Sequence, residues 1–205
     1  MEVTTPGTSL HDAYVVLGYG SLIWDLEILA PQVQLPWLLN AGPELPMEFS
    51  RISAKRLMGL VVVIDAVHGS LCPTHAILSN RTDIHAVADD LCARERSSSL
   101  DYIGAVCRRS GFSRSYQAEV AAHINAWCER TGAAGAVWTD LPQNFAEHAG
   151  SAFSIDDAIA YLRTLRGENL AEAVRYIENA PDATDTPLRR ALARDAWWQG
   201  LSVDA

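Results

Sequence analysis

The chain has 205 residues, 49% of them hydrophobic and 20% charged, which suits a single globular domain with a sizeable core. Its net charge of −9 and pI near 5.0 argue against a nucleic-acid partner. Phosphate neutralisation needs clustered Lys and Arg, and Arg108-Arg109 and Arg189-Arg190 are isolated pairs. No apolar run reaches the roughly 18 residues of a membrane span, and Met1 to His11 lacks the apolar stretch of a signal peptide. A cytoplasmic protein with no membrane contact and a flexible stretch over 1–12 is therefore expected. Cys72, Cys92, Cys107 and Cys128 contain no CxxC pair and read as reduced core thiols.

In chain order, Ala13 to Tyr19 is β-branched and apolar and ends at Gly18-Tyr19-Gly20-Ser21, a buried strand running into a glycine turn. Leu35 to Pro46 carries three prolines and a glycine and reads as a loop. Strands are expected at Met47 to Ser53, Leu57 to Asp65 and Cys72 to Leu78, joined by short connections that favour hairpins. Thr82 then reads as the N-cap of a helix whose apolar face is Ile84, Val87, Ala88, Leu91 and Cys92. A second helix is expected from Ser113 to Arg130, with Tyr116, Val120, Ile124, Trp127 and Cys128 on one face and Gly132 as its stop. Ala134 to Thr139 reads as a strand. Helices follow at Ser154 to Arg166, Glu168 to Asn179 and Pro187 to Trp198, the last with Thr186 as N-cap and proline at N1.

The glycine turn fails the phosphate-loop tests. Position 23 is Ile, not the third glycine of a dinucleotide fingerprint, and no Gly-Lys-Ser/Thr occurs. Tyr19 and Ile23 flank Ser21 where a nucleophile elbow needs glycines. What remains is either a plain strand exit or a slim turn that aims backbone N–H groups at a carboxylate or oxyanion.

Glu95 lies four residues after Leu91 and eleven after Ile84, which puts an acid on the apolar face and in the last helical turn. Such a double conflict with local rules is a common mark of function. Desolvation makes a carboxyl hold its proton to higher pH, as a proton shuttle near neutrality requires. The alternative is an acid at the rim of the core, paired with Arg94, Arg96 or another base.

Together, Val16-Leu17-Gly18-Tyr19-Gly20-Ser21-Leu22-Ile23-Trp24 and Leu91-Cys92-Ala93-Arg94-Glu95 resemble the gamma-glutamyl cyclotransferase-like family, including its ChaC-type and BtrG-type members. Leu45 to Arg51, Cys72-Pro73-Thr74, Val137 to Pro142 and Thr186 to Arg189 are similar to a bacterial branch of it. The resemblance implies an α+β fold around a small, mostly antiparallel barrel, with no metal or organic cofactor. It also implies release of 5-oxoproline from a gamma-glutamyl small molecule such as glutathione, a gamma-glutamyl amino acid or a gamma-glutamyl amine. Glu95 would be the general acid/base. Tyr19, Gly20, Ser21 and Leu22 would bind the glutamyl group, with Ser50 and Arg51 as further candidates. Arg96 stands where glycine or lysine often follows the glutamate, and Tyr102 and Tyr116 are candidates for substrate-holding tyrosines.

Two other classes stay open: a binding module without activity, and a hydrolase using Ser21 or a cysteine with a histidine. Cys72 and His75 are the closest such pair, but residues three apart on a strand point to opposite faces. His75 and His85 form no metal-ligand spacing. The tryptophans Trp127, Trp138, Trp197 and Trp198 read as core or oligomer contacts, and the oligomeric state is open.

Overall fold

The computed structural model describes residues 9–201. Residues 1–8 of the expected flexible stretch lie outside these. Within it, the Asp12 N–H donates to the Gly132 carbonyl at 2.9 Å. The strands are β1 Tyr14–Gly18, β2 Val33–Leu38, β3 Glu44–Ser53, β4 Gly59–Ile64, β5 Ser70–Pro73, β6 His75–Ser79, β7 Ile103–Cys107, β8 Phe112–Arg114 and β9 Gly135–Thr139. The α-helices are α1 Ile84–Glu95, α2 Ala118–Thr131, α3 Phe145–Ala149, α4 Ile155–Leu162, α5 Gly167–Glu178, α6 Pro187–Leu192 and α7 Ala196–Leu201. This is a mixed α+β fold with two sheets, one of six strands and one of three. No helix among the described residues is long and apolar enough to cross a membrane.

The described residues group into two compact units. One takes in the segment ending at Leu17, Glu27–Leu38 and Ala76–Thr139; the other takes in Gly18–Leu26, Leu39–His75 and the segment beginning at Asp140.

The first unit is built on the six-stranded sheet, ordered β2-β6-β1-β9-β7-β8, which runs from edge to edge without closing. β1 is buried along its whole length, in keeping with its continuous apolar run. It pairs in parallel with β9, Tyr14 opposite Gly135, whereas β2–β6, β7–β9 and β7–β8 are antiparallel. Gly104 makes room for Trp138: a Cβ at residue 104 would lie 2.0 Å from the indole, which is fully buried. Helices α1 and α2 pack on β7 and β9.

Four expectations need correcting here. The cap of α1 is Asp83, not Thr82; its carboxylate accepts from Ala86 N–H at 3.1 Å. The segment read as the start of the second helix is β8, and α2 begins only at Ala118, ending as expected at Gly132 in the left-handed region. Tyr116 is therefore outside the helix and half exposed. The proline-bearing stretch read as a loop instead supplies the end of β2 and the start of β3, and β2 tolerates Pro36 because it is an edge strand with a ladder on one side only.

The second unit carries the three-stranded sheet, ordered β4-β3-β5. β3 and β4 form the expected hairpin, turned by a short 3₁₀ segment at Ala54–Arg56. The second expected hairpin does not form: β5 pairs with β3, Leu45 opposite Cys72. The strand read at Cys72 to Leu78 is also broken in two. Thr74 leaves the ladder and donates from its backbone N–H and its hydroxyl to the Pro43 carbonyl, at 3.2 and 2.8 Å. Its two halves belong to different sheets. The last expected helix divides at Ala193–Asp195 into α6 and α7. Thr186 caps α6 as expected, accepting from Arg189 N–H. Fully buried Glu48 fastens that helix to β3, accepting from Phe49 N–H at 2.7 Å and Leu188 N–H at 3.1 Å. Burial pushes its carboxyl pKa up.

Asp65 organises the turn after β4. It accepts from Ser50 Oγ at 2.7 Å and from the Val67 and His68 N–H groups at 3.0 Å each. Burial alone would raise its pKa, but these donors outweigh it and hold the carboxyl below its ordinary value. Its stabilisation is therefore complete above the unfolded pKa of about 3.9 and is lost as pH falls through the lower folded value. Asp65→Asn should cost about 1–3 kcal/mol near neutral pH, and less on acidification below about 4, as read by denaturant melts across pH.

Candidate functional site

Glu95 is the last residue of α1, which Arg96 closes in the left-handed region (φ 52°). The apolar face of α1 does continue to the helix end, but the side chain it buries there is Arg94. Arg94 is 1% exposed and Glu95 15%, with Arg94 Nη1 donating to Glu95 Oε1 at 2.6 Å. Arg94 follows Val87 by seven residues and Leu91 by three, offsets that put it on the same apolar stripe. The signal was in the spacing, but an arginine is rarely read as core. Glu95 thus sits at the rim of the first unit, held by a buried guanidinium. Arg96 reaches Glu27 at 3.0 Å in the exposed layer.

The glycine turn belongs to the second unit. Tyr19 is extended, and Gly20–Ile23 form a 3₁₀ turn in which Gly20, Ser21 and Leu22 are buried. Gly20 has φ +60°, and a Cβ there would stand 2.7 Å from both the Tyr176 hydroxyl and Val62 Cγ1. Glycine is therefore required twice over, by conformation and by space. Tyr176, on α5, forms the wall: Trp24 meets its ring edge-on at 5.6 Å, Phe49 at 6.3 Å, and the Arg56 guanidinium lies 5.5 Å from its centroid. None of Trp24, Arg56 and Tyr176 was read as a site residue from the sequence, although Trp24 ends the Val16–Trp24 motif, because no spacing links residues so far apart.

Ser50 and Arg51 are adjacent in β3 but engaged differently. Ser50 is fully buried and donates to Asp65, and half-buried Arg51 donates to the Pro142 carbonyl. Tyr102 and Tyr116 are 37% and 51% exposed, in the first unit.

Cys72 and His75 do not act as a couple. Burial pushes the Cys72 thiol up, and its Sγ donates to the Ser70 carbonyl at 3.4 Å. Burial pushes the His75 imidazole down, and its Nδ1 accepts from Asn40 N–H at 2.8 Å. A thiol that burial keeps protonated is a poor nucleophile.

A cavity of about 580 Å³ opens in the first unit between the β7–β8 hairpin and α2, lined in part by Cys107, Arg108, Phe112, Asn125 and Glu129. None of the residues singled out from the sequence as site candidates lines it. Comparison with protein-family models, with curated proteins and with solved structures returned no match.

Proposed function

We propose that the chain is a gamma-glutamyl cyclotransferase-like enzyme that releases 5-oxoproline from a gamma-glutamyl small molecule. The small barrel implied by the resemblance is not part of the proposal: among the described residues both sheets are open. The observation that carries the reading is the Gly20 turn: a left-handed glycine with no room for a Cβ, in a buried Gly-Ser-Leu segment directly after an apolar strand. A backbone without side-chain bulk can approach a ligand closely and offer it N–H groups.

In this mechanism the Glu95 carboxylate takes a proton from the substrate's α-ammonium group. The freed nitrogen attacks the γ-carbonyl carbon, and its oxygen gains negative charge. The γ C–N bond then breaks as Glu95 delivers that proton to the departing amine, and the ring nitrogen gives up its second proton to the Glu95 carboxylate and on to the free amine or solvent, leaving neutral 5-oxoproline. The nucleophile comes from the substrate, so no serine or cysteine of the enzyme is needed. Gly20, Ser21 and Leu22 hold the glutamyl group curled, with Tyr19 beside them, and rate comes from orientation and donor placement.

Blocking the nucleophile tests this. A gamma-glutamyl substrate acetylated on its α-amino group should release no amine, while the free form does. Equal release from both would assign attack to water or to an enzyme side chain and overturn the proposal. One observation favours a second reading: the 2.6 Å Arg94 pair gives Glu95 a structural partner. In that reading the chain binds a gamma-glutamyl ligand without turning it over.

A further inference from the structure

Two donors beside Tyr176 lack acceptors. Trp24 Nε1 and Arg56 Nη2 are shut off from solvent and have no hydrogen-bond partner among the described residues. Both side chains flank the Tyr176 ring, at 5.6 and 5.5 Å, and the Tyr176 hydroxyl stands over Gly20. A buried donor left unsatisfied costs about 1–3 kcal/mol, so two in one cluster call for an acceptor supplied from outside the chain.

The charges around the cluster say what kind. The Arg56 side chain is 12% exposed, and its Nη1 reaches Glu172 Oε1 only at 3.3 Å. Glu172 is gripped more closely by Arg175, at 2.8 and 2.9 Å. The Glu172 charge is thus met mainly by Arg175, and Arg56 keeps donor capacity for a second anion. A planar two-oxygen group fits a guanidinium edge, and an indole N–H can complete its hydrogen bonding. The carboxylate of Glu172, and that of Asp25 acting on Arg175, disfavour a doubly charged phosphate there.

We propose that Arg56 and Trp24 form a carboxylate-binding site beside the Gly20 turn, which takes a carboxylate of the gamma-glutamyl ligand. This deepens the cyclotransferase reading and rests on it for the identity of the ligand. The site itself is tested without turnover, by titration calorimetry with glutarate, which has no α-amino group and cannot cyclise, and with its neutral diamide, glutaramide. Glutarate should bind the wild-type protein and glutaramide should not. Arg56→Gln should weaken glutarate binding by about tenfold or more, and Trp24→Phe, which removes one N–H, by several-fold. Where Arg56→Gln fails to fold, Trp24→Phe decides. Absence of glutarate binding, equal binding of the diamide, or indifference to the decisive variant would overturn the site. Glutarate binding that needs Arg56, with no 5-oxoproline ever formed, leaves the site standing and the cyclotransferase reading fallen. Formation of 5-oxoproline with indifference to Arg56 does the reverse.

Discussion

Gly20→Ala is expected to destabilise the protein by about 2–5 kcal/mol. An alanine at φ +60° costs about 1–2 kcal/mol over glycine, and a Cβ at 2.7 Å from the Tyr176 hydroxyl and Val62 Cγ1 adds an overpacking cost of about 1–3 kcal/mol. For a chain of this size the melting temperature should fall by roughly 4–20 °C. The steric part can be separated from the backbone part. Adding Tyr176→Phe removes one of the two clashing atoms, so the double variant should recover some of the loss. If Tyr176→Phe lowers the stability of Gly20→Ala as much as it lowers that of the wild type, the close approach does not govern the turn.

The second large effect is on turnover. Glu95→Gln keeps the size of the side chain and an oxygen that can accept from Arg94 Nη1, so the end of α1 should stay in place. Loss of the proton carrier should reduce the rate by about 10²–10⁴-fold, with ligand affinity little changed. Undiminished turnover would assign Glu95 to the structural role that its Arg94 pair suggests. A binding module would show the opposite pattern, with affinity in both forms and turnover in neither.

How far the sequence could be read depended on the range of the interactions that decide each element. β1 and α5 were legible because burial on two faces, or a periodic apolar stripe, is written into consecutive residues. Gly132 and Thr186 were legible because stops and caps are local chemistry. The failures are nonlocal. Whether β5 pairs with β4 or β3, and whether the chain breaks at Thr74, is decided by Leu45 and Pro43 some thirty residues upstream. β7 is five small or aliphatic residues whose partners are the distant β9 and a hairpin strand too short to register by itself.

The candidate site divides along the same line. Glu95 and the Gly20 turn stood out because each breaks or serves a local rule. The burial of Arg94 was written in the spacing and hidden only by its charge. Trp24, Arg56 and Tyr176 come from a turn, a hairpin connection and a late helix. Only folding brings them together, so no pass along the chain could have joined them.

The most direct test is the product itself. The purified protein should be incubated with glutathione, gamma-glutamyl amino acids and gamma-glutamyl amines, and the products identified by mass spectrometry. The proposed reaction predicts 5-oxoproline together with the free amine or peptide from at least one of them. Free glutamate as the product, or no product from a folded protein that binds none of these compounds, would contradict it.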